Sequence, residues 1–213
     1  MASFYLGIGM QSMAIGCVLN FAPVVAMRLM QASPAQAGNG MGAATFTATV
    51  MGFLIAQGAN GRMTSRWGQR LPPLVMITAV ACSFVPLVGV LFSNTHTTLF
   101  IGAGAFLTLV MAGTLLYPTA LQDMTPAPMR ARLAAISVTV NIVGAASGPA
   151  FVGALSDGLK ARSDGLLLSM VSVALVAVVL SFLFLLPLPS RYLATVTAAR
   201  QTEAQFSPGQ TVA

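Results

Sequence analysis

Two groups of residues in this 213-residue chain have types and spacings suited to chemistry. The first is the run Gly61-Arg62-Met63-Thr64-Ser65-Arg66-Trp67-Gly68-Gln69-Arg70. Arg66 and Arg70 stand four apart, so on a short helix both reach one side and can grip carbonyls or carboxylates at neighbouring helix ends. Gly61 and Gly68 allow close backbone approach there. Such contacts can hold one conformation and must break in another; the plainer reading is loop charge that only orients the chain. The second group is a set of uncharged polar residues scattered through apolar stretches: Gln11, Asn20, Thr114, Tyr117 and Asn141. They suit hydrogen bonding to a neutral solute, or a local bond from one helix to the next.

Catalytic constellations are absent. The single histidine, His96, falls between apolar stretches, so no Ser–His pair forms at membrane depth. Ser147, in Gly144-Ala145-Ala146-Ser147-Gly148, is not a nucleophile elbow. Gly38-Asn39-Gly40-Met41-Gly42 lacks the Lys-Ser/Thr pair and strand context of a nucleotide loop and reads as a small-residue helix surface. Cys17 and Cys82 have no metal-ligand spacing. No cofactor or metal is expected, and an intramembrane enzyme ranks behind both a transporter and a membrane scaffold or partner subunit without transport of its own.

The elements that carry these groups follow from the charge distribution. Only 7% of the residues are charged, 56% are hydrophobic, and mean hydropathy is +0.85. A soluble domain has roughly 25% charged residues, so bilayer hydrocarbon is the solvent this balance tolerates. Stretches without Asp, Glu, Lys or Arg cover 1–27, 29–61, 71–122, 133–156 and 165–190. A span needs about 20 apolar residues. The longest stretch is split by Ser93-Asn94-Thr95-His96-Thr97-Thr98 and holds two spans, which makes six in all. The fold class is therefore an all-α membrane protein with spans near 4–27, 36–59, 72–92, 98–119, 130–155 and 165–188, forming one bundle over 1–189. The first is too long, and too poor in preceding basic residues, for a signal peptide.

Helix starts have their own signals. Ser33-Pro34-Ala35-Gln36 has the capping-box pattern with Pro at the first position, Thr125-Pro126 is expected to open the fifth span, and Ser163 or Asp164 to cap the sixth. The polar segment 190–213 is expected to be a disordered tail. On the fifth span Ser137, Asn141, Gly144 and Gly148 share a stripe, at steps of 4, 3 and 4, where small residues let helices approach closely. Gln11 and Asn20, nine residues apart, point to opposite faces of a straight helix, so only one faces a cavity unless Gly16 bends it.

Gly61, Arg66, Gly68 and Arg70 resemble the Gly-x-x-x-Asp-Arg-x-Gly-x-Arg loop of the major facilitator superfamily, with Ser65 where that family prefers Asp. Pro128-Met129-Arg130-Ala131-Arg132, then Asn141, Gly144, Gly148-Pro149 and Gly153-Ala154-Leu155-Ser156-Asp157, resemble the loop and fifth helix of a facilitator half. The likeness reaches about Pro189 and fits the C-terminal half, with a weaker resemblance to spinster-type or drug-efflux carriers. It implies a secondary transporter moving a small solute by alternating access. Arg130 and the Gly61–Arg70 loop would then serve a cytoplasmic gate, and Gly144, Gly148, Pro149 and Gly153 helix packing. The partners implied are the solute, the lipid bilayer and an N-terminal six-helix half (or a second copy), with no nucleic acid. The missing Asp removes one anionic partner from the gate. No carboxylate or histidine lies within a span, so ion coupling would reside in the other half or be absent. The chain is accordingly expected to be a fragment or a half-size carrier.

Seven basic residues (62, 66, 70, 130, 132, 191 and 200) fall on one side of the six spans and three (28, 160 and 162) on the other. The excess places both termini in the cytoplasm, with the cell membrane, the inner one in a bacterium, as the location. An impermeant thiol reagent is therefore expected to label Thr64→Cys only from the cytoplasmic side and Thr98→Cys only from the outside. Cytoplasmic labelling of Thr98→Cys would reverse the assignment.

Overall fold

The computed structural model describes residues 2–67 and 71–206, with the side chains of 59–67 and 202–206 left aside. Eight α-helices appear among them: α1 Ala2–Leu29, α2 Pro34–Trp67, α3 Leu71–Gly89, α4 His96–Thr114, α5 Tyr117–Asp123, α6 Arg130–Gly158, α7 Gly165–Leu185 and α8 Leu188–Phe206. Six segments are long and apolar enough to cross a membrane: Ala2–Leu29, Pro34–Gly58, Leu71–Phe92, His96–Asp123, Ala127–Gly158 and Gly165–Leu185. The fourth span is thus two helices in series, α4 and α5.

Capping decides several boundaries. Ser33 N–H donates to Gln36 Oε1 at 2.8 Å and Gln36 N–H to Ser33 Oγ at 3.2 Å, so the expected box opens α2. Thr95 and Thr98 make a second such box at α4. Two expected caps fail. Thr125 is followed by a turn of 3₁₀ helix at Ala127–Met129; it does not cap α6, and its buried hydroxyl has no partner. Asp164 precedes α7 without a side-chain cap bond, because its carboxylate is held by Arg162 at 3.0 and 3.1 Å. That bond holds the Asp164 carboxyl below its ordinary range and raises the Arg162 guanidinium.

The packing is reciprocal. α1 lies against α6 and α7, while α4 lies against α2 and α3. The leading helix of each three-span unit therefore rests on the second and third helices of the other, the arrangement of an inverted repeat. In a bilayer, helix association rests on close packing rather than on water exclusion, and both major seams are built that way. A Cβ on Gly16 would collide with the Ala145 carbonyl oxygen, one on Gly144 with that of Gly9, and one on Gly148 would sit 2.6 Å from that of Met13. On the α2–α4 seam a Cβ at Gly52 would meet the Thr108 carbonyl at 3.1 Å. Pro149 completes the first seam: having no N–H, it cannot satisfy the Ala145 carbonyl four residues earlier, and the Gly16 backbone packs on that carbonyl instead. Gly153 does not share this role, since a Cβ there meets nothing within 4 Å. The run Gly38–Gly42 lies inside α2, where Gly40 faces the Phe100 ring.

The segment expected to be a disordered tail from 190 is instead helical to Phe206. Leu188, Tyr192, Val196 and Ala199 form a buried stripe at steps of 4, 4 and 3, and α8 packs on α3. Its few apolar residues sit at helical spacing, and the bundle supplies the surface that orders them. Tyr192, only 1% exposed, donates its hydroxyl to Asp123 Oδ2 at 2.7 Å. Burial first, and this bond second, push the phenol above its usual range.

Overpacking a tight seam typically costs about 1–3 kcal/mol. Gly144→Val is expected to lower the midpoint of thermal unfolding in detergent and the yield of monodisperse protein, whereas Gly153→Ala should leave both unchanged.

Candidate solute-binding cavity

α1 carries adjacent polar side chains, Gln11 and Ser12, in an otherwise apolar span. Neighbours on a helix point about 100° apart, so the pair reaches two different partners. Gln11 is buried at 1% exposure. Its Nε2 donates to the Val110 carbonyl at 3.0 Å and to Thr114 Oγ1 at 3.1 Å, and its Oε1 accepts the Tyr117 hydroxyl. Thr114 in turn donates to the Val110 carbonyl at 2.9 Å. One amide thus uses both donors and its acceptor to tie α1 to α4 and α5. Ser12 turns the other way and donates to Asn141 Oδ1 of α6 at 2.6 Å. Nearby, Tyr5 donates to the Leu133 carbonyl of α6 at 3.1 Å, and Ser181 of α7 to the Gly7 carbonyl at 2.8 Å.

The fourth span breaks at this point for a local reason. Pro118 cannot donate to the Thr114 carbonyl, and Leu116 N–H closes a tighter turn on Gly113 at 3.1 Å. Regular helix resumes with the Ala120-to-Leu116 bond at 2.9 Å. The bend leaves a cavity of ≈ 440 Å³ between α4–α5 and α6. Thr114, Tyr117 and Gln122 line one wall, Ser137 and Asn141 the other, with Arg130 at one end. Arg130 donates from Nε to the Thr125 carbonyl at 3.1 Å. The remaining lining is apolar: Pro118, Leu121, Ala131, Ala134 and Val138. The chemistry on offer is hydrogen bonding to a small, mostly apolar solute. No group of His, Cys, Asp or Glu among the described residues could hold a metal. A second, larger groove of ≈ 680 Å³ runs between the opposite end of α4 and the start of α2, past His96, Asn39 and Thr47.

Of the five cavity residues named from sequence, Thr114, Tyr117 and Asn141 line this space. Gln11 lies behind it and fixes two of them. Asn20 is elsewhere: exposed, it donates to the Gly16 carbonyl of its own helix at 2.8 Å. α1 does not break at Gly16, so the 900° between positions 11 and 20 sends them to opposite faces. Ser12 and Ser137 are the residues the sequence underweights; the adjacency of Gln11 and Ser12 within an apolar span was the available signal. From the expected gate, Gly61, Ser65 and Arg66 fall on the last turns of α2, which runs on past position 59 to Trp67, and their side chains lie outside the described residues. Gly68 and Arg70 lie outside the described residues altogether.

Six helical segments of membrane length thus surround a cavity edged by neutral hydrogen-bonding groups. The sequence model of the Major Facilitator Superfamily matches residues 4–212, and the chain belongs to that family. Its members are membrane transporters of small solutes, which makes this a multi-pass membrane protein of transport. No individual curated protein matches the chain significantly.

Removing a partner from a buried polar group costs about 1–3 kcal/mol. Gln11→Leu, which strips three hydrogen bonds from the α1–α4 seam, is therefore expected to lower the unfolding midpoint clearly. Asn20→Ala should change stability by no more than about 0.5 kcal/mol. Equal effects would contradict the burial difference.

Proposed function

We propose that this chain forms the C-terminal six-helix half of a secondary transporter that moves a small solute by alternating access. In this reading, the α4–α5–α6 cavity is its contribution to the substrate route. The observation that carries the reading is the placement of Thr114, Tyr117, Ser137 and Asn141 around one cavity at the break in the fourth span. Interrupted helices with polar groups at membrane depth are a recurrent device of solute sites. The mixture of an apolar wall and a few neutral hydrogen-bonding groups suits an amphiphilic solute, in keeping with the likeness to spinster-type and drug-efflux carriers.

The second half is proposed on the state of α2 and α6. These are the least buried and least apolar of the six spans. They expose Thr47, Thr49 and Gln57 on one helix and Thr139 on the other beside large apolar residues such as Phe46 and Ile142. Faces that mix hydroxyls and amides with apolar side chains pack better against protein than against lipid tails. A complementary six-helix half, or a second copy of the chain, would cover them and enclose the cavity. Arg66 and Arg70 then act at the cytoplasmic end, roughly 15 Å from mid-membrane, to tune the conformational balance without touching solute. Partly buried charge contacts at a helix end are worth up to about 2 kcal/mol, and 1.4 kcal/mol moves an equilibrium about tenfold.

Two measurements check this. In the complete carrier, Asn141→Ala is expected to weaken solute binding by about tenfold. Arg66→Ala should slow transport while leaving solute affinity within a few-fold, with altered two-sided thiol accessibility; loss of binding with unchanged accessibility would reverse the assignment. Saturable flux through the chain verified as a monomer in proteoliposomes would overturn the need for a second half.

A further inference from the structure

Three features of the fourth span converge. α5 hangs from α4 by the Leu115–Leu116 break, where Pro118 deprives the Thr114 carbonyl of its donor. The same seven residues form one wall of the cavity through Tyr117, Pro118, Leu121 and Gln122. α5 ends at Asp123, whose carboxylate accepts the hydroxyl of Tyr192. Tyr192 belongs to α8, which is seated on α3 by its own apolar stripe. This bond joins segments 69 positions apart, whereas the ion pairs Lys160–Asp157 and Arg162–Asp164 are local.

We propose that α5 is a hinged wall of the cavity and that α8 is the latch that holds it, through Tyr192 on Asp123. The inference builds on the reading of the cavity as the solute route. A rigid span would pass any movement of α4 directly to its end. The break uncouples the backbone of α5 from α4; the Gln11 amide holds its inner end through Tyr117, and Tyr192 on Asp123 holds its outer end. The buried phenol is a fixed donor, and the stripe of Leu188, Val196 and Ala199 keeps α8 in place when the bond opens. Release lets α5 swing about Leu115–Leu116 and widens the mouth of the cavity at Gln122 on the side of the membrane that carries the chain termini. The C-terminal helix thereby controls access to the cavity while contributing nothing to its lining.

The test uses the full chain in proteoliposomes, with Cys82→Ser to remove the exposed native thiol and Gln122→Cys as reporter. The readout is the rate of reaction with an impermeant maleimide. A hydrogen bond to a charged group typically shifts an equilibrium by about tenfold or more. Tyr192→Phe and Asp123→Ala are each expected to raise the labelling rate about tenfold, the double variant no further than the larger single effect, and Thr197→Ala on the outer face of α8 not at all. Unchanged labelling in a folded single variant, or effects that add in the double, overturns the latch. If Tyr192→Phe does not yield monodisperse protein, Asp123→Ala, at an exposed position, decides alone. Labelling reads the latch whether or not solute moves. Raised labelling with no flux in any preparation supports the latch and removes the transport reading; unchanged labelling beside normal flux removes the latch only.

Discussion

The contact on which the rest of the bundle depends is that of α1 with α6, where the Gly16 backbone meets the Ala145 carbonyl and Gly144 meets that of Gly9. Lipid tails are as apolar as leucine, so burying leucine between spans gains little. Association must come from surfaces that fit closely, and glycine permits the closest fit. Pro149 makes the seam specific, since it leaves the Ala145 carbonyl without its helical donor at the point where Gly16 arrives. With α1 held at that distance, Ser12 reaches Asn141 and Tyr5 reaches the start of α6. A wider seam would leave those groups unsatisfied in hydrocarbon, where each costs several kcal/mol.

The same constraint shapes the cavity. Polar side chains inside the membrane must find partners, and Gln11 finds three on the fourth span. Its amide fixes Thr114 and Tyr117 from behind while their other faces line open space. In the proposed carrier, structure and solute contact would draw on one set of residues. The reading of these polar groups as helix-to-helix bonds and the reading of them as solute contacts are compatible, because a neutral hydrogen-bonding group has more than one bonding position. The walls can stay uncharged because hydroxyls and amides, unlike carboxylates, are satisfied by such local bonds.

The reciprocal packing of α1 on α6–α7 and of α4 on α2–α3 gives the bundle a near-equivalence of its two three-span units. The break at Leu115–Leu116 departs from it. α1 contains Pro23 and remains continuous, whereas the fourth span, with Pro118 close after Gly113, divides. That asymmetry puts the cavity on one side of the bundle. It also frees the outer end of α5 from the backbone of α4, where α8 can hold it.

Composition and charge spacing alone determined the fold class: six apolar stretches bounded by small charged groups admit little but six membrane helices, because hydrocarbon tolerates neither open strands nor solvated loops. The Ser33–Gln36 cap and the packing stripe through Gly144 and Gly148 were equally legible, being local patterns with local causes. The family resemblance was carried by loop residues such as Gly61, Arg66 and Arg130. Tertiary structure decided what depends on partners distant in sequence. Periodicity put Gln11 and Asn20 on opposite faces, but only packing showed which face meets the fourth span. Gly153 continues a small-residue pattern that meets no neighbour. Helix α8 reads as polar tail because its four buried residues gain a surface only when α3 is beside them. Asp123 and Tyr192, 69 positions apart, become one contact when the chain folds back along its six spans.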